Sequence, residues 1–264
     1  MNDLALKELM RSRDEKHILT GRITGIENEY YSAKNQNISC AIIWYEGIKV
    51  LIPSSHLGTY KSNKSIIRGM LGAEVDFLVI EIDFTANIAI ASRKDAMELR
   101  ASIELPKLKQ NDVVGVRILA VGVTNIIVEL YGKEVIIRAG NLQHTYIINC
   151  KDYYKAGDYL KVRIKNIDLN NDLIELDAKC FSENPYQNIR KFIEPSGEYT
   201  GTVVGFVKKN GNAIVQLDAS RVTCIVRIPA RFSHIPHFME KVSVQILEIN
   251  ENKKFISAFL KRIL

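Results

Sequence analysis

The sequence predicts an all-β protein built from three copies of one small five-stranded barrel, with a short N-terminal helix and helical linkers. Three observations lead there. A closing hairpin is written three times, its second-to-last strand reading Asp76-Phe-Leu-Val-Ile-Glu-Ile-Asp83, Leu160-Lys-Val-Arg-Ile-Lys-Asn-Ile-Asp168 and Val242-Ser-Val-Gln-Ile-Leu-Glu-Ile-Asn250. The Asx residues ending these runs lie 85 and 82 residues apart, the length of a small β-domain and far more than a solenoid repeat. Glycines punctuate the opening strands, as in Gly21-Arg-Ile-Thr-Gly25 and Gly201-Thr-Val-Val-Gly205, where a strand must bend to close a small barrel.

The elements follow in order. Residues 1–16 form an amphipathic helix, with Leu4, Leu6, Leu9 and Met10 against Lys7, Glu8, Arg11 and Arg13. Residues 17–93 make the first barrel, with a polar loop at 28–37, a tight turn at Glu46-Gly47 and a basic flexible stretch at 59–68. Ser92 with Asp95 signals an N-cap, opening a spacer helix over 94–106 that Pro106 ends. Residues 107–180 repeat the barrel around a Tyr131-Gly132 turn. A loop-rich linker at 181–197 leads to the third barrel at 198–264, which turns at Asn210-Gly211.

Composition narrows the function classes. A hydrophobic fraction of 47% with 25% charged residues is globular rather than disordered. No apolar run approaches the roughly 18–20 residues that span a bilayer, and the N-terminus lacks an export signal, so the expectation is a cytoplasmic chain with no membrane partner. Cys40, Cys150, Cys180 and Cys224 are scattered without ligand spacing, and His234 and His237 stand three apart without Cys or acid neighbours, so neither zinc nor another cofactor is expected. No nucleophile elbow, phosphate loop or paired-carboxylate motif is present, and the acids at the hairpin turns serve their own backbone; an enzyme is not expected. The net charge of +6 is unevenly placed: residues 1–105 carry 13 basic and 14 acidic side chains, 106–180 carry 11 and 9, and 181–264 carry 12 and 7. A polyanion would meet the last third first.

A Gly-punctuated first strand, two hairpin strands, a long loop and a Gly-Asp-led closing pair make an OB-type barrel. More narrowly, the chain resembles the ribosomal S1 domain, through Gly21-Arg-Ile-Thr-Gly25, Gly47-Ile-Lys-Val-Leu-Ile-Pro53 and Leu71-Gly72-Ala-Glu-Val75, then Gly157-Asp158 with Val162-Arg-Ile-Lys-Asn-Ile-Asp168, then Gly201-Thr-Val-Val-Gly205 with Ile214-Val-Gln-Leu217. The resemblance covers nearly the whole chain. The N-terminal helix and the spacer helix also look like those of tandem S1 proteins carried by phages and mobile elements of Gram-positive bacteria.

That resemblance implies a non-enzymatic single-stranded RNA-binding protein, each barrel binding weakly. The family's aromatic stacking patch is replaced by Ser39-Cys-Ala-Ile42, Thr124-Asn-Ile-Ile127 and Gly211-Asn-Ala-Ile214, and a strand-three His by Pro53, Arg138 and Arg227 or Pro229. Other rings and cations are the candidates: Tyr30 after the first strand, Trp44 with Lys49 at the first hairpin, Lys133 beside Tyr131 at the second, and Phe206 with Lys208 and Lys209 in the third barrel. Arg138 and Arg227 end apolar strands where the family meets nucleic acid, and Lys61, Lys64 and Arg68 offer phosphate contacts. Each also has a plainer role, since rings fill small barrels and strand-end charges protect edges. Single-stranded DNA shares the same physics, and a structural or protein-interaction role for degenerate barrels is the competing reading.

Overall fold

The computed structural model describes residues 3–31, 36–58, 64–207, 211–230, 232, 234–251 and 255–264, with the side chains of 3, 29–31, 36–37 and 64–66 left out of the description. Helix α1 (Asp3–Glu15) precedes β1 (Leu19–Tyr31), β2 (Gln36–Tyr45), β3 (Ile48–Pro53), helix α2 (Lys64–Gly69), β4 (Glu74–Asp83) and β5 (Ile88–Ser92). These strands close a barrel in the order β1-β2-β3-β5-β4, with β3 and β5 parallel. Helix α3 (Arg93–Glu104) follows, its start capped by the Ser92 hydroxyl, which accepts from the Asp95 amide at 3.1 Å.

The second copy comprises β6 (Val113–Val121), β7 (Asn125–Leu130), β8 (Lys133–Arg138), β9 (Tyr159–Asp168) and β10 (Leu173–Asp177). It keeps the strand order but stays an open sheet, because no ladder joins β8 to β10. The third copy, β11 (Glu198–Phe206), β12 (Ala213–Leu217), β13 (Thr223–Arg227), β14 (Lys241–Asn250) and β15 (Phe255–Ile263), closes like the first.

The three copies share their irregularities as well as their strands. Each opening strand skips one residue against its neighbour, between Ile23 and Gly25, Ile118 and Ala120, and Val203 and Gly205. Each closing hairpin bulges at a matching place too, leaving out Ile80, Lys165 and Leu247, and the third also leaves out Lys261. Such bulges add the twist and bend that closing a small sheet requires. Before each closing strand the chain turns through a left-handed residue whose amide donates to the opening strand: Gly72 to Ile23 at 2.9 Å, Gly157 to Ile118 at 2.8 Å and Met239 to Val203 at 2.8 Å.

Three sequence expectations are revised. The 28–37 loop is shorter than expected, since β1 continues through Tyr31 and β2 begins at Gln36. The stretch expected to be flexible holds helix α2 from Lys64, whereas 59–63 lies outside the described residues. The supposed linker at 181–197 supplies Tyr186, Ile189 and Ile193 to the third barrel's core.

The described chain divides into two compact units, Met1–Asn141 with Asn149–Phe181, and Leu142–Ile148 with Ser182–Leu264. In the first unit two barrels share a core. Leu119, the residue that β6 bulges out, is buried in the first barrel's apolar cluster, with Ile127 and Ala156 packed against it. Around this contact runs a buried ion network. Arg93, fully buried at the start of α3, donates to Glu129 at 2.6 Å, to Glu134 at 2.8 Å and to the Leu57 carbonyl at 2.8 Å. Arg117 bridges Glu129 at 2.5 Å and Asp76 at 2.7 Å, and Asp76 also takes Arg100 and the Thr20 hydroxyl. The left-handed Gly132 lets α3 approach, because a Cβ there would sit 2.2 Å from the Met97 carbonyl oxygen.

Burial pushes the Asp76 carboxyl up, but the Arg117 hydrogen bond and charge, with Thr20 and Arg100, outweigh it and hold it below the usual carboxylate value. A depressed folded pKa contributes stability above the unfolded value of about 3.9 and loses it as pH falls through the folded value. Arg117→Ala removes one cation from each of two buried carboxylates, leaving Asp76 to Arg100 and Thr20 and Glu129 to Arg93, so it is expected to cost about 1.5–3 kcal/mol in denaturant unfolding and to move the acid-unfolding midpoint, followed by circular dichroism, to higher pH; an unchanged midpoint would mean the pair stabilises nothing.

Met239 is the left-handed turn residue without glycine's freedom (φ 70°), whereas its counterparts Gly72 and Gly157 have it. Met239→Gly is expected to relieve backbone strain and stabilise the third barrel by about 1 kcal/mol, seen as a raised melting temperature; a drop would show that the Met239 side chain outweighs the strain.

Candidate nucleic-acid interface

Residues directly opposite in an antiparallel pair share a face, so register decides which side chains point outward. On the outer face of the second and third strands, three cross-strand rows recur. The middle row is aliphatic in every copy: Ile42 with Leu51, Ile127 with Ile136, and Ile214 with Ile225. In the first barrel this row and Cys40 form a small buried cluster flanked by Ile38 and Ile88. Aliphatic packing thus occupies the surface where the sequence lacks a stacking pair.

The row nearest the hairpin differs in each copy. In the first barrel it is Trp44 opposite Lys49, with Trp44 58% exposed and the Lys49 ammonium 2.6 Å from Glu27. In the second it is Glu129 opposite Glu134, both engaged by Arg93. In the third it is Gln216 opposite Thr223. Lys133 therefore does not correspond to Lys49. It sits one residue earlier, opposite the buried Leu130, and is paired with Asp172, while Tyr131 lies under the Arg100 guanidinium at 5.7 Å. The expected recurrence of a ring and a lysine at one hairpin holds for the first barrel alone among the described residues, because a one-residue offset in a strand exchanges its faces.

The far row carries the strand-three ends. Pro53 faces Cys40, and Arg138 faces Asn125. Arg227 lies beside Phe259 of β15, its guanidinium 5.7 Å from the ring centre. Arg138 and Arg227 are both exposed and forked, suited to a phosphate or to a base face. Phe259 completes the third site and was missed in the sequence, since only the parallel β13–β15 pairing brings it alongside Arg227.

The remaining candidates are dispersed. Phe206 pairs with Ala213 on the inward-facing row and emerges at the third barrel's mouth, on the opposite sheet face from Arg227. Arg68 lines a cleft of about 160 Å³ with Ile26, Asn28, Ser39 and Ile67, where the Ser39 hydroxyl donates to Asn28 at 2.7 Å. Tyr30 lies in β1 opposite Asn37, and Lys64 starts α2, both with side chains beyond the description. Lys61, Lys208 and Lys209 lie outside the described residues, the latter two between β11 and β12 rather than at a counterpart of the Glu46-Gly47 turn.

No group of three or more His, Cys, Asp or Glu among the described residues is placed to hold a metal ion. None of the four cysteines is in a disulfide; burial raises the Cys150 thiol and pushes Cys224 up to about 12, so neither ionises readily. No described helix is long and apolar enough to cross a membrane.

Barrels of this topology, repeated along one chain, define a tandem OB-fold protein. No family model matches the chain. It is 22% identical over 200 residues to a small ribosomal subunit protein bS1 homolog of Bacillus subtilis, covering 73% of this chain and 52% of that one. It is 24% identical over 254 residues to small ribosomal subunit protein bS1 of Staphylococcus aureus, covering 90% and 62%. A third likeness, 23% over 276 residues, is to a 4-hydroxy-3-methylbut-2-enyl diphosphate reductase of Clostridium acetobutylicum, covering 98% of this chain and 42% of that protein. The chain thus spans about half the length of these relatives. With the barrel topology, these likenesses make the chain similar to proteins of the ribosomal S1 type.

Arg138→Ala and Arg227→Ala are each expected to weaken single-strand binding and to flatten its dependence on log salt by about 0.7, the share of one phosphate contact. Lys133→Ala, already committed to Asp172, should leave both unchanged. Fluorescence anisotropy with a labelled oligoribonucleotide measures all three.

Proposed function

We propose that this chain is a non-enzymatic single-stranded RNA-binding protein in which weak sites on three S1-type barrels act together on one strand. The observation that carries this reading is the repeated outer sheet face, which ends in an exposed forked cation in two of its three copies, one of them laid on Phe259. The bS1 names of the relatives point the same way. Each site is weak because aliphatic rows stand where rings would stack, and each stacked base is worth about 1–3 kcal/mol. Linkage on one chain compensates, since tethered sites rebind at effective concentrations up to about millimolar. The excess of positive charge over 181–264 favours the last barrel as the first contact, and a cytoplasmic setting suits such a partner.

A second reading, docking to a protein, draws on the aliphatic rows that stand in place of a stacking pair, with Ile136 of the second barrel exposed. Single-stranded DNA is the other competitor, because nothing in the rows described distinguishes a 2′-hydroxyl.

Titrating the full chain against labelled oligoribonucleotides decides among them. Raising salt from 50 to 200 mM should weaken binding about 20–50-fold if three or four phosphates are neutralised at ~0.7 each, and unlabelled DNA of the same sequence should compete less well than RNA. Absence of binding at either salt concentration refutes the proposal.

A further inference from the structure

Comparing one strand face across the three copies isolates a surface that the strand-end rows do not include. The outward residues of the first closing strand are Glu74, Asp76, Leu78 and Ile80 in β4, Tyr159, Lys161, Arg163 and Lys165 in β9, and Lys241, Ser243, Gln245 and Leu247 in β14, matched through their pairing to the opening strands. In the first barrel this face is covered. Asp76 and Leu78 are buried, and Arg100 of α3 closes over Asp76. In the second barrel the same face is open and its charge is inverted, with three cations where β4 has two carboxylates. Alternate side chains on a strand stand about 6.6 Å apart, given a rise of ~3.3 Å per residue, and an extended single strand can follow a cation row of that pitch.

Two rings border the row. Tyr159 is 66% exposed, with its hydroxyl anchored on Glu74 at 2.7 Å, and the Lys161 ammonium lies 5.0 Å from the centre of the exposed Phe181 ring. Two acids share this face: Glu175 reaches Lys165 at 3.6 Å with both exposed, and Asp177, directly opposite Arg163, accepts from the Lys179 amide, which leaves Lys161 and Arg163 as the cations least engaged by carboxylates.

The floor of this face supplies an independent observation. Gly115 lies mid-strand in β6 opposite Lys161, where the other two barrels have Thr20 and Thr200. Its φ is not left-handed, and a Cβ there would meet nothing within 4 Å. No internal contact or turn requires glycine, although glycine inside a strand lowers stability. Glycine at such a position suits the close approach of a ligand.

We infer that the outer face of β9, comprising Tyr159, Lys161, Arg163, Lys165 and Phe181 over the Gly115 floor, is a second single-strand nucleic-acid path on the side of the middle barrel away from its β7–β8 hairpin. Its occupant is a polyanion with stacking faces, because the row combines regularly spaced cations with rings. The inference rests on the proposed nucleic-acid function and adds a surface to it.

The test uses the full chain and a labelled oligouridylate. Gly115→Thr, which installs the residue the other barrels carry, should hold or raise the melting temperature yet weaken binding about fivefold or more, the equivalent of one lost stacking contact. The double variant Lys161→Glu with Arg163→Glu should weaken binding at least tenfold and flatten the log-salt slope by about 1.4, two phosphate contacts. If both variants bind as the wild type does while Arg138→Ala and Arg227→Ala weaken binding, this path is overturned and the general function stands. If the wild type binds no oligouridylate at either salt concentration, both fall. Binding of polyglutamate that the double variant alone loses, with oligouridylate binding unchanged, would assign the face to an acidic polypeptide and overturn the inference.

Discussion

Arg93 and Arg117, enclosed with Asp76, Glu129 and Glu134, set the layout of the first two barrels. Two guanidiniums shared among three carboxylates leave little buried charge uncompensated, and each fork fixes direction as well as distance. Apolar packing alone would allow two small barrels to slide over one another. The Leu119 bulge supplies the apolar contact, and the ion network supplies the register. The network is therefore better understood as a source of geometric specificity than of raw stability, since well-packed apolar residues often stabilise as much.

This docking has a consequence for function. The row that holds Trp44 and Lys49 in the first barrel holds Glu129 and Glu134 in the second, and those acids face Arg93 rather than solvent. The hairpin end of the middle barrel's outer β7–β8 face is thus used to hold its neighbour. What remains open on that barrel is the strand end at Arg138 and the β9 face, both cationic. Three copies of one unit have diverged in which faces they cover and which they leave exposed.

Much of the fold was legible because its signals are local. The three closing runs, the bends at Gly25 and Gly205 and the Ser92 cap all follow from short-range sterics and hydrogen bonding. The network was not legible, because its bonded partners are 12 to 41 residues apart and each looks like an ordinary outward charge, Arg93 on a helix and the others on alternating strands. Glu129 does point out of its own barrel; sequence periodicity cannot show that another barrel covers it. Lys133 illustrates the other limit, since one residue of offset against Lys49 moves it to the opposite face. The Arg227–Phe259 pair depends on a parallel ladder between strands far apart in sequence, which no local pattern reports.

Photo-crosslinking the full chain to a 4-thiouridine oligoribonucleotide and mapping the attached peptides tests most directly the claim that single strands follow the faces left open by docking. The account predicts attachment at Phe259 and around Arg138 and across Tyr159 to Phe181, with the half-buried 129–134 hairpin untouched. Attachment concentrated on that hairpin, or none on any open cationic face, would contradict it.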